Sequence, residues 1–184
     1  MKGKVWVKTI LQSYNFITRV NRTIDKQVAD RSVMSHLFSF GYQDTLSLTE
    51  SIIDLIERKQ NLLKLKELVE DGFNFINPEH AKALMLTYID EYNIDDISTL
   101  LNLSKRTLQR KINKALNEMF YFFIKNGYTI EYIEKKYEQE KWLIGAFNNN
   151  IDRMGSNYKN YRIEIENKKE KPSFSFIQSL YMHR

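Results

Sequence analysis

Residues Asp95 to Lys114 read DDISTLLNLSKRTLQRKINK, and this stretch decides the fold. Ile97, Leu100 and Leu101 fall at the i, i+3, i+4 spacing that puts three apolar side chains on one face of a short helix. Ser98 supplies a small side chain where two helices cross closely. Asn102 follows, the non-glycine residue that most readily takes the left-handed conformation closing a helix, and Leu103 is placed to plug the turn. Ser104 is a good N-cap. From there Leu108, Ile112, Ala115 and Met119 repeat at helical spacing as the buried stripe of a second helix. The pattern predicts a helix-turn-helix in an all-α protein.

The charges of the second helix point to a polyanionic partner. Between Ser104 and Asn117 stand Lys105, Arg106, Arg110, Lys111 and Lys114, and the first acid is Glu118. Lys105 and Arg106 lie in the first turn, where the helix dipole disfavours a cation by roughly 0.3 to 1 kcal/mol. Stability alone would place acids there. A turn that is locally unfavourable in the free protein becomes favourable when it meets phosphates and base edges. Arg106, Arg110, Asn113 and Lys114 lie opposite the apolar stripe, and Lys105, Gln109 and Lys111 flank them. The expected DNA-binding set is therefore Ser104, Lys105, Arg106, Gln109, Arg110, Lys111 and Lys114, with double-stranded DNA as the partner.

The preceding residues extend the pattern. Asn77 and Pro78 form a helix start, an N-cap with proline at the first helical position, and Glu79 puts an acid in the first turn. Ala81, Leu84, Met85, Tyr88 and Ile89 keep the helical period, and Asn93 can cap the next helix with Asp95 and Asp96 in its first turn. The run from Asn77 to Met119 resembles region 4 of the sigma-70 family of bacterial RNA polymerase sigma factors. In that family a helix ending near a Tyr-Ile pair precedes a helix-turn-helix, and the recognition helix runs into an Ala-Leu pair, here Ala115 and Leu116. The resemblance implies promoter recognition and contact with RNA polymerase. By position, Lys105, Arg106, Gln109 and Arg110 stand where that family's promoter-reading side chains stand.

Departures from the family bear on which promoter is read. Asp90 to Asn93 replace a glycine-containing turn, Ser98 replaces a common alanine, and Arg106 holds a place that is often acidic. Residues 1–75 show no counterpart of the acidic, aromatic-rich region 2. The layout is similar to the small sigma-like regulators of phage and mobile elements, including the ArpU and RinA type activators of late transcription, and to divergent bacterial sigma-like factors.

Outside this stretch the chain divides into an N-terminal helical region (1–75), the region-4-like domain (76–125), an accessory helix (126–148) and a tail (149–184). Residues 1–31 carry seven cations, among them Arg19, Arg22 and Lys26, against Asp25 and Asp30. Trp6, Tyr14 and Phe16 interleave them, a pattern that suits nucleic acid but suits the core of an amphipathic helix over residues 5–29 better. Residues 44–72 read as a long helix whose heptad seam is broken by Lys59 and Lys66, which favours packing within the chain over an autonomous coiled coil. Asn126 and Gly127 stop the second helix of the pair. Thr129 can cap another running to about Phe147, which either supports the fold or presents Trp142 and Phe147 to a partner. In the tail Tyr161, Ile163 and Ile165, then Phe174 and Phe176, alternate as strands do, giving either a small hairpin or a disordered tail that orders on a partner.

Composition narrows the classes further. The 184 residues hold 28 Lys and Arg against 23 Asp and Glu, a net +5, so local clustering is more informative than the total. There is no cysteine, hence no disulfide framework or thiolate site. No apolar run reaches the roughly 20 residues that span a bilayer and no secretory h-region is present, which reads as a cytoplasmic protein. His36, His80 and His183 lack metal-ligand spacing, and the six scattered glycines form no phosphate loop. Neither a cofactor nor an enzymatic activity is expected. The reading is a sequence-specific, sigma-like transcription regulator; the alternative is an interaction module that binds a sigma factor or polymerase without touching DNA.

Overall fold

The computed structural model describes residues 2–37 and 45–153, and among them every regular element is helical. In chain order these are α1 (Lys2–Leu37), α2 (Thr45–Phe75), α3 (Pro78–Leu84), a π-helical turn (Met85–Ile89), α4 (Ile94–Leu100), α5 (Lys105–Lys125) and α6 (Ile130–Lys136). A last helix, α7, covers 141–153. The all-α expectation holds among the described residues. The alternating residues Tyr161 to Phe176 lie outside the described residues.

The two long helices form an antiparallel pair. Tyr14 donates to Glu70 Oε1 at 2.6 Å, Lys59 pairs with Asp25, and Arg31 donates to the Ser51 carbonyl at 3.2 Å. Lys66 sits over the Tyr14 ring. The two lysines that break the heptad seam of α2 thus both meet α1. Between them Ile17 and Ile24 of α1 and Leu62, Leu65 and Val69 of α2 are buried. Trp6 is 1% exposed, so the first of the interleaved aromatic rings belongs to the core.

The segment after α5 is not one helix to Phe147 as its periodicity predicts. Thr129 caps α6, its Oγ1 accepting from the Tyr132 amide at 3.2 Å, but the chain turns at Tyr137 to Glu140 before α7 begins. Both ends of that turn are tied to α2. The Tyr137 hydroxyl donates to the Asn61 carbonyl at 3.0 Å, and the Glu140 carboxylate receives Arg58 Nε at 2.6 Å and Nη2 at 2.9 Å. The turn brings α7 onto α1. Phe147 stacks on Trp6 with ring centroids 3.9 Å apart, Trp142 meets the edge of Phe16, and Asn150 Nδ2 donates to Thr9 Oγ1 at 2.9 Å. Trp142 and Phe147 therefore support the fold.

The aromatic end of α5 serves the same packing. Phe123 is buried, Phe122 lies against Phe75, and Phe120 approaches α1 so closely that a Cβ at Gly3 would stand 2.2 Å from its ring. Gly127 closes α5 at φ +81°, with the Tyr128 amide bonded back to the Phe123 carbonyl at 2.9 Å.

Candidate nucleic-acid interface

Each local start and stop near the candidate site follows from a named side chain. Asn77 Oδ1 accepts from the Glu79 amide at 2.9 Å at the start of α3. Asn93 Oδ1 accepts from the amides of Asp95 and Asp96 at 3.0 and 2.9 Å at the start of α4. Ser104 Oγ accepts from the Thr107 amide at 3.2 Å and starts α5. Asn102 takes φ +50°, and the Leu103 amide reaches back to the Ser98 carbonyl at 2.9 Å, the bond that closes a helix around a left-handed residue. Glu91, in the turn between the π-helical residues and α4, is also left-handed at φ +56°.

The apolar stripe of α5 is buried at Leu108, Ile112, Ala115, Leu116 and Met119. In α4, Ile97 is buried and Leu101 half-buried, whereas Leu100 is 61% exposed. The face expected to hold all three turns Leu100 outward, because a helix of seven residues offers its neighbours a narrow stripe. Ser98 is half-buried with its Oγ unpartnered, and Leu103 is half-buried in the turn.

Two ion pairs and a hydrogen bond fix the sides of α5 and leave one face open. Toward α3, Lys111 Nζ meets Glu79 Oε2 at 2.5 Å, and Glu118 Oε2 meets His80 Nδ1 at 2.8 Å. The Lys111 ammonium, through its hydrogen bond first and its charge second, holds the Glu79 carboxyl below the usual carboxylate range. Toward α4, Lys105 Nζ meets Asp95 Oδ1 at 2.5 Å, with both side chains well exposed. Between these flanks lie Arg106, Gln109, Arg110, Asn113 and Lys114, all exposed. No acid among the described residues pairs with Arg106, Arg110 or Lys114.

Of the expected binding residues, Arg106, Gln109, Arg110 and Lys114 share this open face. Ser104 is spent on the cap, Lys105 sits at the edge nearest α4, and Lys111 is half-buried against α3. Asn113, left out of that set, completes the face, and helical register alone signals it. Among the described residues no group of acids and histidines could hold a metal, and no helix is long and apolar enough to cross a membrane.

Neither a curated protein nor a solved structure matches the chain. A family model does, that of the ECF sigma factors, over residues 19–120. The match reaches well upstream of Asn77, over the second half of α1 and all of α2, where the residue pattern by itself gives no counterpart of region 2. It spans more than half of the 184 residues, and the chain belongs to the ECF sigma factor family.

Proposed function

We propose that α4 and α5 form a helix-turn-helix of the sigma region 4 kind, that α5 enters the major groove of a promoter element, and that the protein directs or regulates transcription in contact with RNA polymerase. The observation that carries this reading is the open face of α5, whose cations Arg106, Arg110 and Lys114 lack a protein partner among the described residues. Long donor-bearing side chains in the N-terminal half of such a helix reach base edges, arginine to guanine above all. The cap of Ser104 takes the Thr107 amide, so the amides of Lys105 and Arg106 remain for phosphate at the positive end of the helix dipole. Lys105 and Asp95 form an exposed pair, worth under about 1 kcal/mol, which a phosphate exchanges readily.

The roles divide by position. Arg106, Gln109 and Arg110 read bases, and Lys105 and Lys114 hold phosphates. Lys111 contributes less, since contact with DNA would first release Glu79. Replacing Lys114 by Ala should weaken binding to all sequences and lower the salt slope by about one unit, and Lys111→Ala should lower it less. Chromatin immunoprecipitation of the tagged protein tests the reading. Sharp peaks upstream of a few transcription units are expected, whereas a distribution that follows polymerase through transcribed regions would favour a module that binds polymerase without reading DNA.

A further inference from the structure

α1 carries a second row of exposed cations, separate from the candidate interface. In the first third of α1 nearly every face is covered: Val5, Trp6, Val7, Ile10, Leu11 and Ser13 are buried. One of those faces ends at Asn15, whose Nδ2 donates to the Ile89 carbonyl at 2.8 Å at the close of the π-helical turn. Past that contact the cover stops. The next residues in register with Asn15 are Arg19, Arg22 and Lys26, and all three are exposed.

None of the three has a carboxylate partner among the described residues. Arg19 lies over the Phe16 ring at 5.4 Å, which holds its guanidinium against the helix without neutralising it. Asp25 is occupied by Lys59 of α2. From Lys2 to Lys26 the helix carries six cations and one acid, Asp25, and Asp30 follows one turn beyond Lys26. The three cations are spaced by about 4.5 and 6 Å along the axis, one to two phosphate intervals of a DNA strand. Apart from Phe16 beneath Arg19, no exposed aromatic or large aliphatic side chain stands from Arg19 to Lys26, unlike the aromatic-enriched centre of a protein interface.

We propose that Arg19, Arg22 and Lys26 form a second, sequence-independent DNA surface that grips backbone phosphates flanking the element read by α5. This rests on α5 being the reading helix. The acids Asp90, Glu91 and Asp95 lie in the turn and first helical turn between the two cationic surfaces, so DNA meets the protein at two separate places. α5 supplies specificity, and α1 supplies affinity that depends on flanking length.

The test uses the full chain and duplexes that carry a selected site with flanks of increasing length, measuring affinity against salt concentration. For the wild type the salt slope should rise by about two to three units once one flank is long enough. The variant Arg19→Ala/Arg22→Ala/Lys26→Ala should lose that increment and keep the wild-type preference for the selected over a scrambled core. Arg19→Lys/Arg22→Lys, which retains charge, should keep both. A triple variant with the wild-type slope at every length overturns the proposal, as does one that keeps the slope and loses affinity for purified core RNA polymerase. If the wild type shows no site preference yet the triple variant loses the increment, the α1 surface stands and the reading of α5 fails. Intact preference without any dependence on length leaves α5 as the reader and overturns the α1 surface.

Discussion

Glu91 holds φ +56°, a conformation that costs an L-residue roughly 1 to 2 kcal/mol. The turn needs it, because the Tyr92 amide reaches back to the Leu86 carbonyl at 3.0 Å and turns the chain toward α4. Glu91→Gly should raise the unfolding free energy by up to about 1 kcal/mol, the relief of strain less the greater freedom of glycine in the unfolded chain. Urea titration measures it, and an unchanged or lower stability would mean the glutamate side chain compensates its own strain. Asn102→Ala should go the other way by about 1 kcal/mol, since alanine cannot support the left-handed residue that asparagine can. Asn102 was legible in the sequence, being a residue type suited to its conformation. Glu91 was not, because glutamate has no such preference and only the path of the backbone forces it. Tyr14 gives a pH test at the same scale. Burial first, then its hydrogen bond to Glu70, pushes its phenol up from 10.0 to about 12. The folded value lies above the unfolded one, so the stabilisation is whole below pH 10 and is lost as pH rises toward 12. Denaturation midpoints between pH 9 and 11.5 should fall for the wild type more than for Tyr14→Phe.

At the scale of elements, the break between α6 and α7 depends on Arg58 and Glu140. Glu140 is 5% exposed and takes both bonds of the guanidinium, and Trp142 Nε1 donates to it as well. Removing one partner of a buried pair costs about 3 to 5 kcal/mol; Arg58 is 41% exposed, so Arg58→Ala should cost about 2 to 3 kcal/mol. The variant Arg58→Met/Glu140→Gln should recover part of the loss, because no buried charge is then left alone. Equal instability of the single and double variants would show that the pair does not anchor the turn. The caps Asn77, Asn93, Ser104 and Thr129 and the buried stripe of α5 could be read locally, from residue types with a fixed use at helix ends. The break at Tyr137 could not, since its cause is contact with Asn61 and Arg58, some eighty residues away in the chain. The outward turn of Leu100 has the same kind of cause, as neighbours decide which of three apolar side chains a short helix buries.

For the whole molecule, α1 and α2 form a long pair on which α3, α5 and α7 pack, and the open side of α5 faces away from that packing. The charge pattern of α5 made its cationic face legible, but which cations are engaged depended on acids brought in from α3 and α4. Lys111 illustrates this: its partner Glu79 is 32 residues upstream. The central claim is that the open face of α5 reads base sequence, and competitive binding tests it most directly. Wild type, Arg106→Ala and Arg110→Ala are each measured on a selected site and on scrambled DNA of equal length. Each substitution should cost about 1 to 3 kcal/mol on the selected site and much less on scrambled DNA. The fold should stay intact because both side chains point away from the core, with stability unchanged for Arg110→Ala and raised by up to about 1 kcal/mol for Arg106→Ala, whose cation the helix dipole disfavours. Equal losses on both DNAs, or a wild type without site preference, would contradict it.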